Sequence, residues 1–499
     1  MTHFSGNTDA LDNIVFIVGP KPAPITALTY DSRKVEKDGC FVCIDGHQSD
    51  GHLFIESAIH NGAHVIIGSK KNILMDWYYK RPDLTFVLVR DTKKALARYA
   101  TTFYQNVHEK MSLIGVTGTN GKTTITAYIR SLLNALGNPT GSIGTAGVWD
   151  QQQKLEFNKS TPTTPESSDL HSIFSHLYEK KASHVVMEAT SIALDQERLH
   201  GIQFNLAVHS NLWPEHLDFH HTMEDYKKAK LRLFEQADIA VVNNDDDGMA
   251  PDIIRMFEGE LWTYGMERDA DVRARNMKSV AAGTSFDLLV DGKVHSVIVP
   301  IFGNHNVANF LAAVTTCLAQ GHGIENILRV LPLIQGPPGR FQVVNNYPDR
   351  QLVLDFAHSP RALETLFETI EPFSYNRIIL LITGIGIRER HLRPEIAQAV
   401  EGKADAYVVT VDHPGDEDPE IVMADVVSGF TEVPANLHLE AKRGQAIQKA
   451  MSLAEKGDLI LITGICMETF QIVKGERVPY HDFDEIKSFL HKHHAITTC

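Results

Sequence analysis

Two spacings of apolar residues alternate along the chain. Short apolar runs such as "CFVCI", "AHVIIG" and "TFVLV" occupy the first hundred positions, each bounded by small or polar residues. Between them, "HLFIESAIHNG" and "TKKALARYATTFYQ" carry apolar residues three and four apart, the helical period. The same alternation resumes at "MSLIGVTG" and continues through "HVVMEA", "FNLAVHSNL" and "ADIAVVNND". It returns again in "LVLDFAHSP", "IILLITGIG", "AYVVTVDHP" and "DLILITGIC". Buried strands alternating with helices predict parallel sheets built from βαβ units, so the fold class is α/β. In open sheets of this kind ligands sit beyond the carboxyl ends of the strands, which directs attention to the loops that follow each run.

Punctuation and length divide the pattern. At 499 residues the chain is too long for one ordinary domain, and about three are expected from the usual size range. Gly336, Pro337, Pro338 and Gly339 in "LIQGPPGRFQVV" break any regular element and mark a boundary. With 43% hydrophobic and 22% charged residues the composition is that of a globular protein. No stretch approaches the ~20 apolar residues that cross a bilayer. The opening "MTHFSGNTDALDNIVF" lacks a basic region followed by an apolar one, so a cytoplasmic protein without membrane insertion is expected. A net charge of -15 argues against nucleic acid as a partner and leaves small nucleotides as the phosphate-bearing ligands to consider. Five cysteines, an odd number, fit a reducing compartment. Cys40 and Cys43 form a C-x-x-C with no second pair at zinc spacing, and read as buried strand thiols.

One stretch carries explicit chemistry. "LIGVTGTNGKTTITAYI" reads as strand, tight loop and helix, the context a phosphate-binding loop needs. Gly118, Thr119, Asn120 and Gly121 turn backbone N–H groups toward an anion, the helix start adds its dipole, and Lys122 adds a point charge. Thr123 or Thr124 can ligate Mg²⁺. The spacing departs from the general G-x-x-x-x-G-K, since Val116 stands where a glycine is expected. Glu188 ends the run "VVMEATS" at the same sheet edge, where a carboxylate can hold the Mg²⁺ of MgATP. His216 and His220 lie four apart, but no third ligand at zinc spacing accompanies them. Lys230 in "YKKAKLRLF" reads, from its residues alone, as a solvated helix lysine.

"GTNGKTT" resembles the ATP-binding signature of the Mur ligases, which add amino acids to the nucleotide-linked precursor of peptidoglycan, and the resemblance spans nearly the whole chain. It is nearest to the members that extend UDP-N-acetylmuramoyl-dipeptide by a third residue. The resemblance implies a uridine-nucleotide-binding α/β domain at 1–107, a central P-loop ATPase domain with a mainly parallel sheet at 108–336, and a Rossmann-like amino-acid-binding domain at 337–499. It implies ATP and Mg²⁺ as cofactors, a UDP-N-acetylmuramoyl-dipeptide and an amino acid as partners, and a monomer. Glu188 and His216 then bind Mg²⁺, and Lys230 is carbamylated to make a carboxylate-like ligand for a second ion. Asn306 and Asn309 in "GNHNVANFLAA" contact adenine, "VVNNDDDG" forms a turn near the nucleotide, and Arg340 and Asp355 meet the phosphates and ribose on domain closure. Ser32 in "YDSR" and His47 and Gln48 in "DGHQSDG" touch the uridine nucleotide. Thr163, Thr164, Thr190, Ser191, Gln196 and Arg198 line the muramoyl-dipeptide path, with Arg198 able to pair with a carboxylate. Asp412, His413, Gly464 and Glu468 fall in the amino-acid pocket.

The departures fall in that pocket. Diaminopimelate-adding members carry D-N-P-R, whereas this chain reads "DHPG", with His413 for the asparagine and Gly415 for the arginine. Lysine-adding patterns are not matched either. The family's Gly-rich loop appears one residue shorter as "GIGIRERHLRP", and its G-K-G-H-E as "GICMETFQ". Ile192 replaces a histidine in "EATSIAL". Losing a buried cationic partner costs a carboxylate ligand about 2–5 kcal/mol, so diaminopimelate is not expected. The readings are therefore a ligase acting on the cell-wall precursor, a paralogue acting on another acid, a nucleotide-binding scaffold without ligase activity, or a small-molecule kinase. Lys122, Glu188, His216 and Lys230 together speak against the scaffold.

Overall fold

The computed structural model describes residues 13–22, 24–46, 49–157, 161–280, 282–344, 347, 349–388, 390–466 and 469–494. The chain falls into two compact units. One holds residues 1–275, 288–295 and 308–334, and the other 276–287, 296–307 and 335–499.

The first unit contains two sheets. Ile14–Val18, Thr85–Val89, Ala63–Gly68, Gly39–Val42 and Leu28–Thr29 lie side by side in that order. All run parallel except Ile14–Val18, which is antiparallel to Thr85–Val89. Cys40 and Cys43 are fully buried at this sheet, and burial alone pushes the Cys40 thiol far above its ordinary range. They are core residues, as the spacing predicted. The larger sheet has Glu260–Gly265, Ala237–Asn243, Phe204–His209, Ser112–Thr117, His184–Glu188 and Thr140–Gly144 in parallel. Ser112–Thr117 is central and apolar on both faces because helices cover both, which is why "LIGVT" is a continuous apolar run instead of an alternating one. The helices Lys122–Ala135 and Ser167–Glu179 bury Ile125, Ile129 and Leu132, and Leu170, Phe174 and Leu177, three and four apart.

The second unit has one six-stranded sheet, ordered Gln342–Val343, Gln351–Asp355, Leu459–Thr463, Ile378–Ile385, Ala406–Asp412 and Leu437–Leu439. It is parallel apart from the first short strand. A hairpin of Phe470–Val473 and Glu476–Pro479 follows. The mixed α/β architecture with mostly parallel sheets is the one the pattern predicted. Among the described residues no helix is long and apolar enough to cross a membrane.

One buried pair in the first unit sets a pH limit. His108, in the turn Val107–Lys110, meets His171 edge to face with ring centroids 4.9 Å apart. His171 is fully buried, and neither of its ring nitrogens has a hydrogen-bond partner. Burial, with the neighbouring His108 adding to it, pushes His171 from its ordinary 6.5 down to about 3. The unfolded chain therefore binds this proton when the folded chain does not, and stability is lost as pH falls below 6.5. Unfolding free energies from urea titrations between pH 7 and pH 5 should fall at up to about 1.4 kcal/mol per pH unit, and the slope should be shallower in His171→Leu.

Candidate active site

The phosphate loop is shaped by what presses on it. Gly118 sits at φ 141°, and a Cβ there would run into Ser210 Oγ and the backbone of Asn211. Thr119 N donates to Asn211 O at 2.8 Å, Asn120 N to Asn211 Oδ1 at 2.9 Å, and Ser210 Oγ to Asn120 O at 2.6 Å. Segment 209–212 is itself pinned by Asp246, which takes His209 Nε2 at 2.8 Å and Leu212 N at 2.9 Å. The expected Asp turn is thus a brace under the loop. The helix Lys122–Ala135 begins at Gly121 with no side-chain cap, leaving its first N–H groups for an anion. Lys122 Nζ donates to the carbonyls of Gly118 and Thr119 at 3.0 and 2.8 Å, so its charge lies across the loop. Asn309 approaches Gly121 closely enough that a Cβ on the glycine would strike its amide oxygen. In the second unit Asn306 donates instead to Phe302 O at 2.9 Å.

Glu188 ends its strand directly beside Val116, two residues before Gly118. It is 1% exposed and held by Thr145, whose N–H donates to Oε1 at 2.7 Å and whose hydroxyl donates to Oε2 at 3.3 Å. The Thr145 hydroxyl also meets Thr163 at 3.0 Å. Thr164 donates to the Glu188 carbonyl at 2.8 Å and meets Thr190 at 3.1 Å. Of these threonines Thr145 alone bonds the carboxylate; the predicted Thr163 reaches it through Thr145, and Thr164 and Thr190 meet at the Glu188 main chain. Thr145 went unrecognised in the sequence because it bonds Glu188 across 43 residues. Arg198 is engaged by the protein: it pairs with Glu166 at 2.6 Å and donates to Gln196 Oε1 at 2.6 Å and Thr164 O at 2.9 Å. Gln196 and Glu166 face a cavity of about 270 Å³ lined also by Tyr30, Phe54 and Lys93. Ser32 is buried in the turn two residues after Tyr30. His47 and Gln48 lie outside the described residues.

Lys230 departs most from its sequence reading. The helix Met223–Leu231 is mostly charged, yet Lys230 is 1% exposed, with Nζ donating to Gly118 O at 2.8 Å and lying 4.6 Å from the Tyr226 ring centroid. Burial, reinforced by the charge of Lys122, holds its pKa well below the ordinary lysine value. A neutral amine is the form that reacts with CO₂, so the environment fits a carbamate. His216 is half exposed at φ 57°, 3.9 Å from Glu215. Its ring lies 6.2 Å from that of Tyr226. Ser191 bonds His220 at 3.0 Å. No group of three or more His, Cys, Asp or Glu side chains among the described residues stands ready to hold a metal alone.

In the second unit Asp355 accepts Phe341 N at 2.7 Å and Ala357 N at 2.8 Å, and burial raises its pKa. Arg340 stacks 4.6 Å over Phe356. Asp412 is fully buried, 3.1 Å from Arg443 and accepting Ile465 N at 3.0 Å. Burial is the main cause that lifts it to about 6. Arg443 also makes a bidentate pair with Asp482 at 2.8 and 2.6 Å, a partner the sequence did not disclose. His413, at φ 41°, accepts Ile472 N through Nδ1 at 3.0 Å. Gly464 packs so that a Cβ would strike the Asp412 carboxylate. Arg388 is exposed; burial is the main cause that lowers both His358 and His413, and the Arg388 charge adds to it. Glu468 lies outside the described residues.

A parallel sheet ending in an uncapped glycine-lysine loop, with a buried lysine on the loop carbonyl, defines an α/β protein built to hold a nucleotide phosphate. Residues 116–317 match the Mur ligase middle domain, 339–466 the Mur ligase glutamate ligase domain, and 24–104 the Mur ligase family catalytic domain. The chain belongs to the Mur ligase family. It is 37% identical over 474 residues to UDP-N-acetylmuramoyl-L-alanyl-D-glutamate--2,6-diaminopimelate ligase 1 of Clostridium acetobutylicum, covering 95% of this chain and 96% of that protein. It is 35% identical to the corresponding ligase of Clostridioides difficile, with 95% and 96% covered. A solved structure of a UDP-N-acetylmuramoyl-L-alanyl-D-glutamate--2,6-diaminopimelate ligase superposes with a TM-score of 0.67 at 29% identity, covering 95% of this chain and 96% of that one. A Thermotoga maritima MurF ligase solved with ADP shares the fold at 18% identity, TM-score 0.61, covering 94% of this chain and 98% of that one.

Gly144 tests the seat of Glu188, since a Cβ there would enter the carboxylate. Gly144→Ala should leave the circular dichroism spectrum intact while lowering any ATP-dependent turnover about a hundredfold, the scale of an ångström-level misplacement of a site group.

Proposed function

We propose that this protein is an ATP-dependent ligase that joins an amino acid to the free carboxylate of UDP-N-acetylmuramoyl-L-alanyl-D-glutamate, forming an amide with release of ADP and phosphate. The observation that carries the reading is the buried Lys230 amine on the carbonyl of Gly118, at a phosphate loop, in a chain that aligns along 95% of its length with ligases named for that substrate.

The chemistry follows from the groups present. The uncapped N–H groups at the start of the helix Lys122–Ala135 and the Lys122 ammonium hold the ATP phosphates and draw charge off the γ-phosphoryl group, while Thr119 N and Asn120 N, which the sequence assigned to the anion, bond Asn211 and shape the loop. The substrate carboxylate attacks that phosphorus and ADP departs, giving an acyl phosphate. The amino acid's neutral amine then attacks the acyl carbon, phosphate leaves from the tetrahedral adduct, and the amine proton passes to solvent. Thr123, Glu188, His216 and carbamylated Lys230 would hold Mg²⁺, whose contribution is to screen the phosphate oxygens. Thr124 supports the helix start. The hydroxyls of Thr145, Thr163, Thr164 and Thr190 fix Glu188, and Ser191 fixes His220. Arg198 orients Gln196 toward the uridine-nucleotide and muramoyl path, to which Ser32, His47 and Gln48 are also assigned. Asn306, Asn309, Arg340 and Asp355 are assigned to the nucleotide, and His413, Gly464 and Glu468 to the amino acid, with Asp412 as their support. The absence of an arginine at Gly415 favours an amino acid without a distal carboxylate. A cytoplasmic monomer suits soluble substrates of this kind.

The test supplies purified protein with ATP, Mg²⁺, UDP-N-acetylmuramoyl-L-alanyl-D-glutamate and all amino acids, and weighs the product. A single adduct one aminoacyl residue heavier, with stoichiometric ADP, is expected. Lys122→Ala should slow its formation about a thousandfold, the cost of removing a clamp on the transferring group. An unchanged rate in that variant removes the phosphoryl step and with it the proposal.

A further inference from the structure

Tyr226 opens the stretch "YKKAKLRLF" that carries Lys230, and its own side chain reaches the phosphate loop, Lys230 and both His216 and His220. It is completely buried. Its hydroxyl lies 3.1 Å from Thr119 Oγ1, in the phosphate loop. Its ring underlies Lys230, with Nζ 4.6 Å from the centroid, and packs at 6.2 Å against the His216 ring and at 5.3 Å against that of His220.

All the bonds at Thr119 are satisfied together when Tyr226 is the donor. Thr119 Oγ1 has one proton, which goes to Trp213 O at 3.2 Å, and it accepts from Trp213 N at 2.9 Å. With its own proton spent, Thr119 accepts from Tyr226, which becomes the donor. The phenol thereby ties the loop to the helix Met223–Leu231 that carries Lys230. Thr119 and Tyr226 are 107 residues apart in sequence, so this bond joins two segments that local structure leaves independent. The aromatic face, meanwhile, closes one side of the Lys230 amine to water.

We propose that Tyr226 is a positioning residue for the ligase site: its hydroxyl sets the phosphate loop for nucleotide, and its ring encloses Lys230 so that the amine takes up and keeps CO₂. The inference rests on the ligase reading above. Two functions in one side chain are separable, because phenylalanine keeps the ring and drops only the hydroxyl.

The experiment reads two quantities on the full chain. ATP affinity is measured by calorimetry for the wild type, Tyr226→Phe, Thr119→Val and the double variant. Occupancy of Lys230 is read as a carbamate signal in ¹³C NMR after equilibration with ¹³C-bicarbonate, for the wild type, Tyr226→Phe and Tyr226→Leu. Tyr226→Phe should weaken ATP binding about fivefold, the scale of one hydrogen bond. The double variant should be no weaker than Thr119→Val, because both remove the same bond. The carbamate signal should persist in Tyr226→Phe and be lost in Tyr226→Leu. Tyr226→Phe binding ATP as the wild type does, additive losses in the double variant, or a carbamate signal that survives Tyr226→Leu would each overturn the proposal. Wild-type protein that binds no ATP would overturn the ligase reading itself.

Discussion

An amine shut away from water beside a phosphate loop is the constraint around which the first unit is organised. Burying an ammonium ion costs several kcal/mol even after relaxation, and at Lys230 burial is the largest influence, with the Lys122 cation adding to it and the Glu215 carboxylate opposing it. Burial therefore biases the amine toward its neutral form, and its Nζ donates to Gly118 O. The loop in turn depends on that contact, because Gly118 has no side chain and is held from the other side by Ser210 and Asn211. The same desolvation that makes Lys230 a poor ion makes it a good nucleophile toward CO₂, so one environment accounts for both the fold of the loop and the chemistry assigned to it.

The second unit meets a similar problem with the opposite solution. Arg443 is fully buried and retains its charge, because Asp412 and Asp482 close on it from two elements. Guanidinium cannot neutralise itself as an amine can, so it requires carboxylates where Lys230 requires only a carbonyl. This explains why Asp412, which the motif assigns to the amino-acid pocket, points inward to Arg443 and Ile465 N. Buried networks of this kind add little net stability against apolar replacements but select one arrangement of the strand ends that carry them.

What was legible in the sequence was local. The phosphate loop shows itself because strand, glycines, lysine and helix are consecutive, and its chemistry is largely that of its own backbone. Cys40 and Cys43 were read as core from their apolar neighbours, and both are fully buried. Lys230 was misread when taken on its residues alone: "YKKAKLRLF" gives its helix no apolar stripe that singles out position 230, and only the family resemblance marked it. Thr145, Arg443 and Asp482 were missed because each acts through a partner 39 or 43 residues away, and the Tyr226 hydroxyl because it meets Thr119 across 107. Helical and strand periods report which face of an element is buried, and carry nothing about which distant hydroxyl or guanidinium meets it there.

The same distinction bears on the amino-acid pocket, where the departures looked like substitutions of side chains and prove to involve the backbone. Gly415, in the position of the family's arginine, lies at φ 62°, and a Cβ on it would collide with Ile387. Its N–H donates to Ile472 O at 2.9 Å and its carbonyl accepts Lys474 N at 2.7 Å, while His413 accepts Ile472 N. Segment 413–415 is therefore stitched to the strand Phe470–Val473 on consecutive sides, in a conformation that favours glycine. Restoring an arginine at 415 alone would strain this segment and meet Ile387 before it offered a guanidinium to any ligand. The loss of the cation is built into how two loops pair, so a change in amino-acid preference here requires the loop around Ile387 and the strand Phe470–Val473 to change together.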